Sequence, residues 1–160
     1  MRERILKFSF YFIFLNFYFF FLNSTSKKIV IEIGSDKLLV DLAISVNEKK
    51  SGLMFKKKLK DTNGMLFLYD NPDIKHFWMK NTYLHLAIFF IDSNNKVSEF
   101  HIGQPLSEKI ISSKNKVIAV LEIPSSCLTE VNLNLGDEVF WSEINTYNNN
   151  FDKNFLNCAN

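Results

Sequence analysis

The chain has 160 residues, of which 47% are hydrophobic and 22% are charged, so it fits one globular domain with a single core. Residues 1–26 hold three of the 19 basic and one of the 17 acidic residues, which leaves 16 of each in residues 27–160. This balance excludes the strongly basic surface that nucleic-acid binding requires, so no nucleic-acid partner is expected.

The N-terminal segment Phe8–Leu22 (FSFYFIFLNFYFFFL) is strongly apolar and follows Arg2, Arg4 and Lys7. Its 15 residues would span about 22 Å as a helix, which is less than the bilayer core of about 30 Å. A basic start, a short apolar run and then small residues as far as Ser26 are typical of an export signal. We predict that residues 1–26 are a signal peptide and that the protein is exported to the periplasm or cell envelope. The alternative is an uncleaved anchor in the inner membrane.

The first elements after residue 26 are predicted to be a hairpin and a short helix. The run KIVIEIGSDKLLVDLAIS has the composition of two strands, with Gly34–Asp36 as the turn between them. In the following VNEKKSGLMF, Asn47 is the predicted N-cap and Glu48 is favourable in the first turn. Gly52 is predicted to end this helix.

The middle of the chain is predicted to consist of strands. Gly64–Tyr69 has the pattern of a buried strand, and Asn71–Asp73 has turn chemistry. The stretch HFWMKNT (76–82) is predicted to be the next strand. The unbroken apolar run Leu84–Asp92 predicts a strand that is covered on both faces, and Val97–Ile102 predicts its successor.

The last third of the chain is predicted to contain two more strands and then a tail. Lys116–Pro124 is an apolar strand, and Pro124 can open a short helix. Leu135–Ile144 contains a Gly-Asp turn and a last strand. Residues 145–160 are rich in Asn and lose the apolar period, which predicts a disordered tail.

These elements predict an α+β, β-rich fold in residues 27–144. We expect a compact single domain of about seven to eight short, mostly antiparallel strands, barrel-like, with one or two short helices. Six apolar residues are predicted to form the centre of one core: Phe67, Phe77, Met79, Phe89, Ile91 and Val120.

The candidate site lies in HFWMKNT, where strand alternation would point Phe77 and Met79 into the core. His76, Trp78, Lys80 and Thr82 would then share the other face, with Asn81 at the end of the strand. An aromatic platform beside a cation and hydrogen-bonding groups is typical of a ligand-binding surface. Alternatively, Trp78 packs under a loop and the stem of Lys80 merely crosses it.

Other kinds of site have little support in the sequence. Cys127 and Cys158 are the only cysteines; they could pair in an oxidising compartment, or remain two free thiols. His76, His85 and His101 lack the close spacing of zinc ligands, and no phosphate-binding Gly-rich loop or nucleophile elbow is present. No metal or cofactor is therefore expected, and no catalytic residue is assigned.

Several motifs, taken in order and spacing, resemble an uncharacterised family known as DUF 192. They are GLMFKKKL, GMLF, FWMKNT, FFID, LEIP and LGDEV, and together they cover about residues 29–143. The resemblance implies an often exported, compact β-rich domain with short helices, and it implies no activity. The family pattern falls on Gly52, Leu53, Met54, Gly64, Met65, Phe67, Trp78, Met79, Lys80, Asn81, Thr82, Asp92, Glu122, Gly136 and Asp137.

Three positions depart from the family pattern. Lys56 stands where an Arg is usual, His85 where a Pro is usual and Ala87 where an Asp is usual. The resemblance brings Lys56 into the candidate site, because the family's basic residue follows the helix that GLM closes. The replacement by Ala87 removes a possible acid or base and the natural partner of Lys80, which weakens a catalytic interpretation.

We therefore predict a non-catalytic domain that binds a small molecule, a glycan or an envelope protein through Trp78, Lys80, Asn81, Thr82 and Lys56. The alternatives are an envelope hydrolase with a Lys and carboxylate site, and a structural accessory protein anchored by residues 8–22. A cleft with converging polar groups and perturbed carboxylates would favour the enzyme, whereas a flat exposed aromatic row would favour the binder. Replacing Lys80 by Ala is expected to preserve the melting temperature and abolish binding.

Overall fold

The structure is a computed structural model that describes residues 27–144 together with Phe155 and Leu156. A short helix, α1 (Val46–Ser51), and a 3₁₀ helix (Ser125–Thr129) accompany the strands. The strands of this part of the chain are β1 (Lys28–Ile33), β2 (Asp36–Ala43), β3 (Gly64–Asp73), β4 (His76–Phe77), β5 (Leu86–Ile91), β6 (Val97–Gly103), β7 (Ile111–Ser112), β8 (Val117–Pro124) and β9 (Phe140–Glu143).

Seven strands form one mixed sheet in the order β6-β5-β8-β3-β2-β1-β9, and β4 pairs with β7 in a second sheet. The β-rich single domain with short helices is confirmed, but the barrel-like closure was wrong. The neighbours β2 and β3 are parallel, because the chain crosses over through α1 between them, whereas the other pairs are antiparallel. The sheet stays open, because its edge strands β6 and β9 do not pair with each other. Among the described residues, the chain near the start of β6 and the chain before β9 are joined by an isolated bridge, Lys96 with Glu138, and by three backbone hydrogen bonds around it.

The first hairpin and the helix follow from their local sequences. β1 and β2 pair across the predicted turn, where Gly34 has a φ of 57°. The predicted N-cap Asn47 was wrong, because Ser45 caps α1 instead. The Ser45 side chain accepts from the backbone N–H of Glu48, and the Glu48 carboxylate accepts from the backbone N–H of Ser45. Gly52 ends the helix as predicted.

Two predicted boundaries in the middle of the chain were wrong. Asn71–Asp73 does not turn the chain; β3 continues to Asp73, with a register shift against β8 after Leu68. The strand at residue 76 ends at Phe77 instead of continuing to Thr82. The backbone N–H of Met79 donates to the carbonyl of Ser107, and Asn81 has a left-handed φ of 55°, so this segment forms a turn.

The sheet separates two apolar cores, one on each face, and the expectation of one core was wrong. Strand β5 shows the division most clearly. Ala87, Phe89 and Ile91 point into core 1, which also contains the inward residues of β1 and β2, whereas Leu86, Ile88 and Phe90 point into core 2. All six residues are buried, as predicted for a strand covered on both faces. Core 2 also holds Phe67, Met79 and Val120, with Phe77 packed against it.

Leu156 packs against core 1. The backbone N–H of Leu156 donates to the carbonyl of Lys37 (3.1 Å), and its carbonyl accepts from the Asn63 side chain (2.6 Å). Cys127 is buried in core 1 and is disulfide-bonded, and Cys158 is the only other cysteine of the sequence. The other residues of the predicted disordered tail, 145–154 and 157–160, lie outside the described residues.

The predicted signal or anchor, Phe8–Leu22, also lies outside the described residues. Within the described part, none of the helices has the length and apolar character needed to cross a bilayer.

Candidate functional site

A pocket of about 180 Å³ opens on the core 2 side of the sheet. We call it the Glu122 pocket. Helix α1 and the residues after it form one wall, β3 and β8 form the floor, and the segment after β4 forms the other wall. Its lining consists of Lys49, Lys50, Ser51, Gly52, Leu53, Met54, Phe67, Tyr69, His76, Phe77, Trp78, Thr82 and Glu122.

Glu122 on β8 supplies the only carboxyl group among the residues that line this pocket. It pairs in register with Met65 of β3 and Ile88 of β5, so its side chain emerges in the middle of three paired strands. Only 4% of its surface is exposed, and within the described part of the chain its carboxyl makes no hydrogen bond or ion pair. Burial raises the pKa of Glu122 to about 8, so its protonated form predominates at neutral pH.

Tyr69 of β3 also lines the Glu122 pocket. The Nζ atoms of Lys49 and Lys75 lie 4.4 and 4.0 Å from the centre of its ring, and Lys49 also lines the pocket. Burial, and secondarily the Glu122 charge, raises the pKa of Tyr69 to about 12. The phenol therefore remains a neutral hydrogen-bonding group throughout the physiological range.

Aromatic rings form much of the remaining surface. The ring of Phe77 packs edge-on against Phe67 (5.0 Å between centroids) and against Phe90 (6.0 Å), which fixes the wall of the pocket. Trp78 follows at the rim and is 43% exposed. A ligand entering here meets flat apolar surfaces before it reaches the acid on the floor.

The structure brings together two of the five predicted site residues. Trp78 and Thr82 both line the Glu122 pocket. Thr82 does so from a buried position, with 4% of its surface exposed, so the expected sharing of one solvent-facing row was wrong. Strand alternation did not apply, because the strand ends at Phe77.

The other three predicted residues lie outside the lining of the pocket. Lys80 lies beside its rim, with Nζ 5.0 Å from the Trp78 ring centre and 3.6 Å from a Glu108 carboxylate oxygen. The carbonyl of Asn81 accepts from the backbone N–H of Phe55. Lys56 forms an ion pair of 3.3 Å with the buried Asp41.

Ala87, the departure from the family pattern, points away from this pocket. It is fully buried in core 1, on the face opposite Glu122. Lys80 nevertheless has a carboxylate partner, because it forms an ion pair with Glu108 in the absence of the family's usual Asp.

A larger depression near the turn of the first hairpin is a weaker candidate. It has a volume of about 630 Å³ and contains the carboxylates of Glu32, Asp36, Asp137 and Glu138. Each of these has a protein partner: two pair with lysines and two accept from backbone N–H groups. The Glu122 pocket is smaller, but its acid has no such partner.

The predicted absence of a metal site rested on the spacing of three histidines. His76 bonds to the Ser112 hydroxyl (2.7 Å) and His101 to Glu99 (3.2 Å). In residues 27–144, 155 and 156, no three His, Cys, Asp or Glu side chains are grouped as metal ligands would be.

Comparison with protein families gives a match over most of the domain. The DUF192 model, described as "Uncharacterized ACR, COG1430", matches residues 29–141. The chain belongs to the DUF192 family. A comparison with curated proteins finds no match.

Two solved structures share the DUF192 fold of this chain. One, a candidate transcription regulator from Sinorhizobium meliloti 1021, is 30% identical, has a TM-score of 0.65 and aligns over 73% of this chain and 94% of its own. The other, a protein of unknown function from Novosphingobium aromaticivorans DSM 12444, is 31% identical, with a TM-score of 0.63. It aligns over 71% of this chain and 84% of its own.

Sequence reasoning placed Glu122 in the DUF192 pattern but not in the candidate site. The signal that could have found it is its position as a lone carboxylate in VIAVLEIP, an otherwise apolar strand. Glu is rarely fully buried unless it is paired, so an acid in such a strand indicates either a buried partner or a site.

Proposed function

We propose that this DUF192 protein is a non-catalytic binding domain that holds a small molecule in the Glu122 pocket. The observation that carries the proposal is a buried carboxyl group without a protein partner, at the floor of a pocket with aromatic walls. Burying a polar group that makes no hydrogen bond costs roughly 1–3 kcal/mol, and a bound ligand that hydrogen-bonds to it offsets that cost. A concave site also suits a small molecule better than it suits a glycan chain or a protein partner.

A hydrolase is the second candidate, and the raised pKa of Glu122 is the observation in its favour, since such shifts cluster at active sites. The predicted Lys and carboxylate site would need the two groups to act together, but neither Lys49 nor Lys50 forms an ion pair or hydrogen bond with Glu122. Hydrolysis by paired carboxylates needs two acids, and the lining of this pocket contains one. The imidazole of His76 is already bonded to Ser112 outside the lining. Binding therefore accounts for the arrangement with fewer requirements than catalysis.

The proposed location is the periplasm or cell envelope. Two independent features support it: the basic and apolar pattern of residues 1–22, and the disulfide bond of Cys127, a linkage that persists in oxidising compartments. If residues 8–22 are not cleaved, they would hold the domain at the inner membrane as an accessory protein.

The name of the Sinorhizobium relative raises transcription regulation as an alternative. The equal numbers of basic and acidic residues in residues 27–160 give no electrostatic support for DNA binding. We propose that no nucleic acid is a partner of this chain.

The test is mass spectrometry of small molecules that co-purify with the native protein from the envelope fraction. We expect a molecule to be retained by the wild type and lost from Trp78→Ala. Tyr83→Ala is the matched control, because Tyr83 has similar exposure (47%, against 43% for Trp78) but does not line the pocket. Equal retention by both variants would show that the pocket is not the binding site.

A further inference from the structure

We propose that the Glu122 pocket selects a small organic acid with two polar ends: a carboxylate that contacts the lysines of α1, and a carbonyl or hydroxyl oxygen that accepts a hydrogen bond from Glu122. This inference rests on the proposed binding function and specifies the chemical class of the ligand. It follows from the distribution of charge in the pocket, the depth of its acid and its size.

The charge of the lining favours an anion. Lys49 and Lys50, in the last turn of α1, both line the pocket, and Lys50 is exposed and has no carboxylate partner among the described residues. Glu122 is the only acid of the lining. A ligand cation would meet two ammonium groups on its way to one carboxyl, whereas an anion is attracted by them.

The floor favours a hydrogen-bond acceptor. The groups that face Glu122 from the surrounding elements are Tyr69 of β3, Lys49 and Lys50 of α1, and His76 of β4; the adjacent β5 contributes only apolar side chains. No charged group is hydrogen-bonded to the Glu122 carboxyl, and burial keeps it neutral at pH 7. A neutral carboxylic acid donates one hydrogen bond, so the group it recognises is an oxygen acceptor.

The walls and the volume limit the rest of the ligand. Phe67, Phe77 and Trp78 offer apolar surface between the lysines and the floor, which suits a short carbon chain or a small ring. At about 180 Å³ the pocket is below the range of about 300–1,000 Å³ that accommodates drug-sized molecules.

The experiment titrates the protein with four probes of similar length, followed by NMR chemical shifts. The probes are 4-oxopentanoate, pentanoate, 2-pentanone and pentylammonium. The first has both polar ends, the second lacks the inner acceptor, the third lacks the carboxylate and the fourth carries the opposite charge. We expect 4-oxopentanoate to bind best and pentylammonium worst.

Variants separate the two proposed contacts. Lys50→Ala is expected to weaken 4-oxopentanoate binding severalfold, whereas Lys57→Ala, which removes another exposed lysine outside the lining, leaves it unchanged. Between pH 7 and pH 9 the wild type should lose about tenfold in affinity, because Glu122 ionises and repels the ligand. Glu122→Gln keeps a hydrogen-bond donor that does not ionise, so the affinity of this variant for 4-oxopentanoate should not fall between pH 7 and pH 9.

Preferential binding of pentylammonium, or equal effects of Lys50→Ala and Lys57→Ala, would overturn the assignment of an anion. If none of the four probes binds but a native molecule is retained and lost from Trp78→Ala, the ligand class is wrong and the binding function stands. If no probe binds and nothing is retained, both proposals fail.

Discussion

The two faces of the sheet differ in what they bury. Core 1 is a cluster of buried apolar residues that includes Cys127, and Leu156 packs against it. Core 2 shares the strands β2, β3, β5 and β8 with it, but beside core 2 a carboxyl is buried next to an open pocket. If the proposed binding function holds, core 1 stabilises the fold, whereas the face with core 2 gives up some stability for the binding site.

The largest expected effect comes from core 1. Replacing Phe89 by Ala removes a ring that is fully buried and stacked on Phe100, and should cost about 3–5 kcal/mol in the free energy of unfolding. Phe77→Ala, at the half-buried wall of the pocket, should cost clearly less. Urea denaturation of both variants measures the difference, and equal losses would contradict the contrast between the faces.

The disulfide of Cys127 should be the next largest contribution on the same face. Reduction, or replacement of Cys127 by Ser, is expected to lower the free energy of unfolding by about 2–4 kcal/mol. Thermal unfolding with and without a reductant measures the effect. The Cys127→Ser variant should be insensitive to the reductant; a wild type equally insensitive would show that the bond contributes nothing.

On the other face, stability should depend on pH through Glu122. Its pKa rises from an ordinary 4.5 to about 8 on folding, so between these values the folded state binds more protons than the unfolded state. Stability should therefore fall as the pH rises from about 5 to 8, by at most about 1.4 kcal/mol per unit, and level off above that.

The Glu122→Gln variant tests this dependence, because it removes the ionisation and keeps the shape. We expect it to be more stable than the wild type at pH 8 and to lack this fall with pH. Denaturation at pH 5, 6.5 and 8 compares the two proteins. Parallel pH profiles would mean that Glu122 is already ionised in the folded state.

The smallest expected effect is that of Lys80, which lies beside the rim. Its ion pair with Glu108 is exposed, so Lys80→Ala should change the free energy of unfolding by less than about 1 kcal/mol. Because Lys80 does not line the pocket, Lys80→Ala should also lower the affinity for the ligand less than Lys50→Ala does. A loss of affinity equal to that of Lys50→Ala would extend the site to the rim.

Sequence patterns predicted the strands correctly where one hydrophobic pattern continued over several residues. The doubly covered β5 and the hairpin at Gly34 are confirmed for that reason. The patterns failed where long-range contacts decide the backbone, as at Met79, whose N–H bonds to Ser107 instead of continuing a strand. They also could not assign β5 residues to two cores, because alternation shows that faces differ but not what covers each one.

The prediction of the candidate site was incomplete for a related reason. Trp78 and Thr82, which were named from their residue types, line the Glu122 pocket, but Glu122 enters it only through the pairing of β8 with β3 and β5. That neighbourhood is set by strand order, which local sequence does not encode. Lys56 was placed by its nearness in the chain, and it binds Asp41 instead.

The pairing of β1 with β9 brings the two ends of the domain together. Ile29 lies opposite Glu143, and Lys27 forms an ion pair with that same residue. A protein fused before residue 27 would therefore lie beside β9, at the same edge of the sheet.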